Sequence, residues 1–111
     1  MNIKLEKKTI SGGFGLYSQM NDKALVETFN QLIRCTKESG FRIAYSLSPE
    51  ERQAMTDSEF QLWLSDTDRA SYRNRDILAK AHMALQEMKI RGLIEPKEVY
   101  KRVDYLNRVG T

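Results

Sequence analysis

The strongest constraint in this sequence is the helical spacing of apolar residues in its second half. Between residues 68 and 91 they recur at intervals of three and four residues, at Leu78, Ala81, Leu85 and Met88. This spacing places the apolar side chains on one side of an α-helix. We therefore predict a long helix over residues 68–91, capped by Asp66 or Thr67 and ended by Gly92.

An earlier helix is predicted from similar signals. Asn21 or Asp22 can cap its first turn, since short polar side chains accept hydrogen bonds from the open N–H groups there. Apolar residues then recur at helical spacing as far as Thr36. Gly40 follows as the expected left-handed end of the helix.

Shorter helices are predicted between and after these two. Residues 48–56 begin with Ser-Pro-Glu-Glu, where the serine is a cap and proline suits the first helical position. Residues 57–64 form a second short helix, with a strand as the alternative reading. Pro96 opens a final helix whose inward residues are Val99, Val103 and Leu106. If these three do not reach the core, they would form the seam of a homodimer.

Glycines and alternating residues predict a small sheet. The stretch Ser-Gly-Gly-Phe-Gly at 11–15 lacks the lysine of a phosphate-binding loop, and no predicted helix starts directly after it. A tight turn explains its glycines better, and apolar residues alternate on both sides of it. We predict a hairpin over residues 2–18. Residues 41–47, Phe-Arg-Ile-Ala-Tyr-Ser-Leu, alternate in the same way and would add a third strand.

The expected fold class is therefore α+β. A small N-terminal antiparallel sheet, made of the hairpin 2–18 and the strand 41–47, packs on one helix and precedes a helical C-terminal half. The chain of 111 residues fits a single domain, residues 1–111. One cysteine, no signal sequence and no long apolar run predict a cytoplasmic protein without a membrane partner.

The sequence shows no pattern typical of an enzyme. His82 is the single histidine, and Cys35 is the single cysteine, so a zinc site of the usual four ligands is not expected. A reactive pair of Cys35 and His82 is the one catalytic alternative. Paired acids at Glu50 and Glu51 fit the first turn of a helix, where acids are favourable. We predict no catalytic residue, no metal and no cofactor.

Charge is divided unequally along the chain. Residues 21–68 contain five basic and nine acidic residues, and residues 69–111 contain ten basic and five acidic ones. A basic end that also carries tyrosines can bind an acidic protein surface, because tyrosine and arginine are frequent at interface hot spots. The predicted partner-binding residues are Arg69, Tyr72, Arg73, Lys80, Lys97, Tyr100, Lys101, Tyr105 and Arg108.

These observations predict a small, non-enzymatic accessory or regulatory protein that binds and modulates a protein partner. Inhibitory proteins of this size and composition are common in phages and mobile elements. The alternative is a DNA- or RNA-binding protein that uses the same basic C-terminal helices.

Overall fold

The structure is a computed structural model in which residues 17–109 are described. Four helices follow one another in this range, and residues 17–19 are helical as well. The four are α1 (Asp22–Thr36), α2 (Pro49–Gln53), α3 (Asp57–Ile90) and α4 (Pro96–Val109). Helices make up 76% of the described residues and strands none, so this part of the protein is all-α.

The predicted α+β class is therefore wrong. Residues 41–47 form no strand, although they are extended. Phe41 and Ile43 pack against the core, and Tyr45 hydrogen-bonds to α3. Their alternation arises because one side of an extended segment lies on a helix, and it needs no partner strand. Most of the predicted hairpin, residues 2–16, lies outside the described residues, and its last two positions, 17 and 18, are helical.

The structure joins two predicted helices into one. Residues 57–64 and 68–91 belong to α3, a single helix of 34 residues that is about 51 Å long. Its cap is Thr56, whose hydroxyl accepts from the N–H of Glu59 while the Glu59 carboxylate accepts from the N–H of Thr56. The predicted cap at Asp66 or Thr67 is wrong, because this box at Thr56 starts the helix ten residues earlier.

Other predicted helix ends are confirmed or corrected by their hydrogen bonds. Asn21 caps α1, and Ser48 with Glu51 forms a complete capping box on α2. Pro96 opens α4 as predicted. Gly40 does have a positive φ of 81°, but α1 already ends at Thr36, so the glycine turns the chain beyond the helix.

The core is a bundle of α1, α4 and the second half of α3. Asp22 at the start of α1 pairs with Arg91 just after α3, and Glu38 just after α1 pairs with Arg73, so α1 and α3 are antiparallel. The buried apolar side chains are Tyr17, Leu25, Phe29, Ile33, Ile77, Leu78, Ala81, Ala84, Leu85, Met88, Val99 and Leu106. Since α4 places its inward residues in this core, they do not form the dimer seam that the sequence left open.

The side of α3 that faces the bundle follows a strict repeat of three and four residues. Its members are Phe60, Trp63, Thr67, Ala70, Asn74, Ile77, Ala81, Ala84 and Met88. Those from Asn74 onward are buried, and those before it are half-buried. We call residues 57–73 the distal half of α3 and residues 74–90 the proximal half. The distal half contains no buried residue and extends beyond the bundle.

A short segment still covers part of the distal half. Arg52 of α2 lies 3.5 Å from the Asp57 carboxylate, and its guanidinium sits 4.0 Å above the centre of the Phe60 ring. Phe60 in turn stacks with Trp63. The chain thus runs back along α3 from the end of α1 to α2.

Asn74 marks the boundary between the two halves of α3. Its buried side-chain amide donates to the carbonyl of Arg42 at 2.6 Å and to the hydroxyl of Tyr45 at 3.0 Å. Its amide oxygen accepts from Arg73 at 3.1 Å. A buried amide is tolerated only when its hydrogen bonds are made, and here they attach the extended segment to α3.

We expect Asn74→Ala to lower the free energy of unfolding by about 2 kcal/mol, because it leaves the buried Arg42 carbonyl without its donor. Arg75→Ala, at the exposed neighbouring position, should change it by less than about 0.5 kcal/mol. Urea unfolding of both variants measures the difference. Equal effects of the two substitutions would contradict the role given to Asn74.

At the other end of the bundle, Arg91 holds the start of the described chain. Its guanidinium donates to the carbonyls of Tyr17 and Ser18 and pairs with Asp22 and Glu87. Tyr17 is thereby kept in the core, where it is 3% exposed. Burial raises the pKa of the Tyr17 phenol above its ordinary value, with a smaller raising effect from Asp76 that Lys80 opposes.

This shift predicts a loss of stability in alkaline solution. A raised folded-state pKa means that the unfolded chain loses the Tyr17 proton first, so stability is complete below pH ~10 and falls as the pH rises above it. Tyr17→Phe should remove this part of the loss. Urea midpoints measured from about pH 8 to about pH 11 should fall less for Tyr17→Phe than for the wild type. Parallel curves would show that the phenol is not responsible.

Candidate functional site

The turn between α3 and α4 forms a groove on the surface. Its volume is about 400 Å³, within the usual range of ligand-binding pockets. Apolar atoms provide most of its lining. We call this site the corner groove, and its residues are Lys89, Gly92, Leu93, Ile94, Glu95, Pro96, Val99 and Tyr100.

The shape of the corner follows from backbone hydrogen bonds. The N–H of Leu93 donates to the carbonyl of Met88 at 2.9 Å, and that of Gly92 donates to Lys89 at 3.1 Å. This pair of bonds is the Schellman motif that ends many helices, and it requires a left-handed residue, here Gly92 with φ 72°. Pro96 then starts α4 at once. The groove is therefore formed by fixed backbone rather than by a loose loop.

Side chains at the corner divide into buried and exposed ones. Val99 is buried at the base of the groove, and Leu93 and Ile94 are half-buried. Tyr100 lies at the edge with 77% of its surface exposed. Ile90, the last residue of α3, is 75% exposed. An apolar groove beside an exposed tyrosine is typical of a surface that binds another protein.

The nine predicted partner-binding residues do not form one surface. Arg69, Arg73 and Lys80 occupy the side of α3 that borders α1, since Arg73 binds Glu38 beyond the end of α1. Tyr72 is 74% exposed on the outer side of α3. Lys97, Tyr100, Lys101 and Arg108 are exposed on α4. Only Tyr100 lines the corner groove.

Tyr105 has a structural contact instead of an exposed position. The Thr36 hydroxyl donates to the carbonyl of Ile33 at 2.6 Å, so it accepts from the Tyr105 hydroxyl at 2.8 Å. The ammonium of Lys37 lies 5.9 Å from the centre of the Tyr105 ring. This tyrosine joins α4 to the end of α1, and it is half-buried.

Most of the predicted cations are paired with acids. The pairs are Arg69–Asp66 at 3.8 Å, Arg73–Glu38 at 3.2 Å, Lys80–Asp76 at 2.9 Å, Lys101–Glu98 at 3.3 Å and Arg108–Asp104 at 3.1 Å. The hydrogen bond and charge of Asp76 raise the pKa of Lys80 above its ordinary value. These pairs reduce the positive potential that a nucleic acid would meet.

Two lysines near the corner groove differ from that group. Lys89 lines the groove, and Lys97 is exposed one residue after Pro96. Within residues 17–109, no carboxylate lies within 4.0 Å of either ammonium. Sequence reasoning missed Lys89, because its position beside the groove depends on how α3 and α4 meet. The one signal available was the Gly92-to-Pro96 turn that directly follows it.

The residues considered for catalysis are placed apart from this site. His82 is half-buried on α3, and Cys35 is a half-buried free cysteine on α1. Across the described part of the chain, no three His, Cys, Asp or Glu side chains are grouped so that they could hold a metal ion. None of the described helices has the length and apolarity needed to cross a membrane.

Comparison of the chain with protein-family models, with curated proteins and with solved structures finds no match in any of the three. The site is therefore interpreted from its own geometry and charge.

The rigid corner predicts a matched pair of glycine variants. A Cβ at Gly92 or at Gly40 would meet no atom within 4 Å, so alanine at either position costs only backbone strain. We expect Gly92→Ala and Gly40→Ala each to lower the free energy of unfolding by about 1–2 kcal/mol. Only Gly92→Ala should shift the amide resonances of residues 93–100 in an NMR spectrum. Unshifted resonances there would contradict a groove shaped by Gly92.

Proposed function

We propose that this chain is a small, non-enzymatic regulatory protein that binds and modulates a protein partner through the corner groove. The observation that carries the proposal is the mostly apolar groove at a fixed helix–helix corner, with the exposed Tyr100 at its edge. A preformed groove binds at a lower entropic cost than a site that must be ordered first.

The charge around the groove suggests the chemistry of the partner. Residues 89–109 contain six basic and three acidic residues. The two lysines without acidic partners, Lys89 and Lys97, flank the apolar part of the site. Such a site fits a protein segment that inserts a large apolar side chain and carries carboxylates beside it. Apolar contact supplies most of the affinity, and the lysines favour an acidic neighbour over a basic one.

Nucleic acid is the alternative partner. Its case rests on the exposed cations Lys97 and Arg102 of α4. The local ion pairs of the other basic residues weaken it, because binding to phosphate would have to compete with these carboxylates. Fluorescence anisotropy with a random duplex and a random single strand at ~50 mM salt tests this directly. Tight binding that weakens steeply with salt would favour the alternative.

We expect Tyr100→Ala to weaken partner binding by about 30-fold, which corresponds to about 2 kcal/mol for loss of an interface tyrosine. Tyr72→Ala is the matched control, because Tyr72 is equally exposed but lies outside the groove. The measurement is affinity purification from the native cell, with mass spectrometry and with nuclease, using wild type and both variants. A partner should be retained by wild type and Tyr72→Ala and lost with Tyr100→Ala.

Binding chemistry is tested separately with synthetic peptides. One peptide has a central leucine and phenylalanine between aspartates and glutamates, and the other replaces each acid by lysine. NMR titration of the wild type should shift residues 93–100 with the acidic peptide and much less with the basic one. A partner lost equally with both tyrosine variants, or peptides that bind without shifting these residues, would contradict the proposed site.

A further inference from the structure

The distal half of α3 presents an uncovered surface that matches a surface elsewhere on the same chain. One stripe along α3 repeats at intervals of four and three residues and comprises Leu64, Asp68, Ser71, Arg75, Leu78, His82, Leu85 and Lys89. Lys89 lines the corner groove together with Val99 and Tyr100, so this stripe is the side of α3 that faces α4. We call it the α4-facing stripe.

Coverage of this stripe changes along the helix. Leu78 and Leu85 are buried in the bundle at 8% and 1% exposure. Leu64 occupies the same position of the seven-residue repeat but is 37% exposed. The helix α4 has only 14 residues, about 21 Å, and runs back from the corner, so it ends before it reaches the distal half. The distal half has 17 residues, about 25 Å, which is close to the length of α4.

The charges of the two surfaces are opposite. Residues 49–68, which include α2 and the beginning of α3, contain six acidic residues and one basic residue. The helix α4 contains four basic and two acidic residues. Its outer face, opposite the buried Val99 and Leu106, consists of Lys97, Lys101, Asp104 and Arg108. Opposite charges on two surfaces of one molecule favour pairing between copies, because each copy supplies both signs.

The spacing of the charges also agrees. Asp57 and Asp68 are eleven residues apart on the side of α3 that includes the α4-facing stripe, and Lys97 and Arg108 are eleven residues apart on the outer face of α4. Eleven residues are about three helical turns, so both pairs lie on one side of a helix and are separated by about 16.5 Å. A parallel alignment of the two helices therefore sets Asp57 opposite Lys97 and Asp68 opposite Arg108.

We propose that two copies of this chain form an antiparallel two-fold dimer in which the outer face of each α4 covers the distal half of the partner's α3. The partner's α4 then continues along the α4-facing stripe where the chain's own α4 ends. Two-fold symmetry makes every contact twice, so four ion pairs and both Leu64 side chains are included. This inference goes beyond the proposed function and leaves both corner grooves open, one at each end of the dimer.

The decisive test compares two substitutions on neighbouring turns of α3. Asp68 lies on the α4-facing stripe, and Asp66, two residues earlier, lies about 160° away around the helix. We expect light scattering coupled to size exclusion to show a dimer for the wild type at low salt. Asp68→Lys should raise the dimer dissociation constant at least tenfold, whereas Asp66→Lys should leave it within about twofold. Circular dichroism checks that each variant is folded.

A pair of charge-reversed variants provides an independent test. Asp57→Lys with Asp68→Lys, and Lys97→Asp with Arg108→Asp, should each be monomeric alone. Mixed in equal amounts they should form a heterodimer, because both contacts then join opposite charges again. The inference is overturned if the wild type is a monomer at every concentration, if Asp66→Lys dissociates the dimer as strongly as Asp68→Lys, or if the mixed variants stay monomeric. None of these outcomes affects the groove, whose test uses Tyr100.

Discussion

The bundle depends on one repeat along α3 that changes in character at Asn74. On the proximal side the repeat contains Ile77, Ala81, Ala84 and Met88, which α1 and α4 bury. On the distal side it contains Thr67 and Ala70, which offer little apolar area. Since the stability of a helix in a protein comes mainly from packing of its apolar face, the bundle extends only as far as the repeat is apolar and stops where Asn74 turns to the backbone of the connecting segment.

Two polar contacts fix the ends of that bundle. Arg91 joins the start of the described chain to the end of α3 through two backbone carbonyls and two carboxylates. At the opposite end, the Tyr105 hydroxyl joins α4 to Thr36 of α1. A guanidinium with five donors in a fixed plane suits the first position, because lysine could not reach all four acceptors. The corner groove lies beside the Arg91 contact, so its shape is maintained by interactions that do not belong to the site.

Local signals explain which parts of this fold could be predicted from the sequence. Asn21, Ser48 and Pro96 act through hydrogen bonds and φ values within one turn of the chain, and all three positions were confirmed. The alternation in residues 41–47 misled because it indicates an extended segment with one covered side. Whether a neighbouring strand or a helix covers that side depends on contacts far away in sequence, here with Asn74.

The same distinction applies to the site. The exposure of Tyr100 follows from helical register, since it is adjacent to the inward Val99. Tyr105 was grouped with it on the sequence alone, but its contact with Thr36 spans 69 residues and has no local signature. Ion pairing within α3 and α4 was partly visible, because the acids stand three or four residues before the bases. Lys89 became a groove residue only through the meeting of two helices.

Ion pairing and groove position together determine how this surface can recognise a partner. Where each base has an acid one turn away, the surface provides little long-range attraction, so recognition depends on close contact at the corner and on the charge of Lys89 and Lys97. A two-fold dimer would place one such corner at each end. Pairing of this kind strengthens binding to a partner that presents two segments, because the second contact is then intramolecular. A partner with one segment gains nothing from it, so the dimer would select for partners that are themselves repeated or paired.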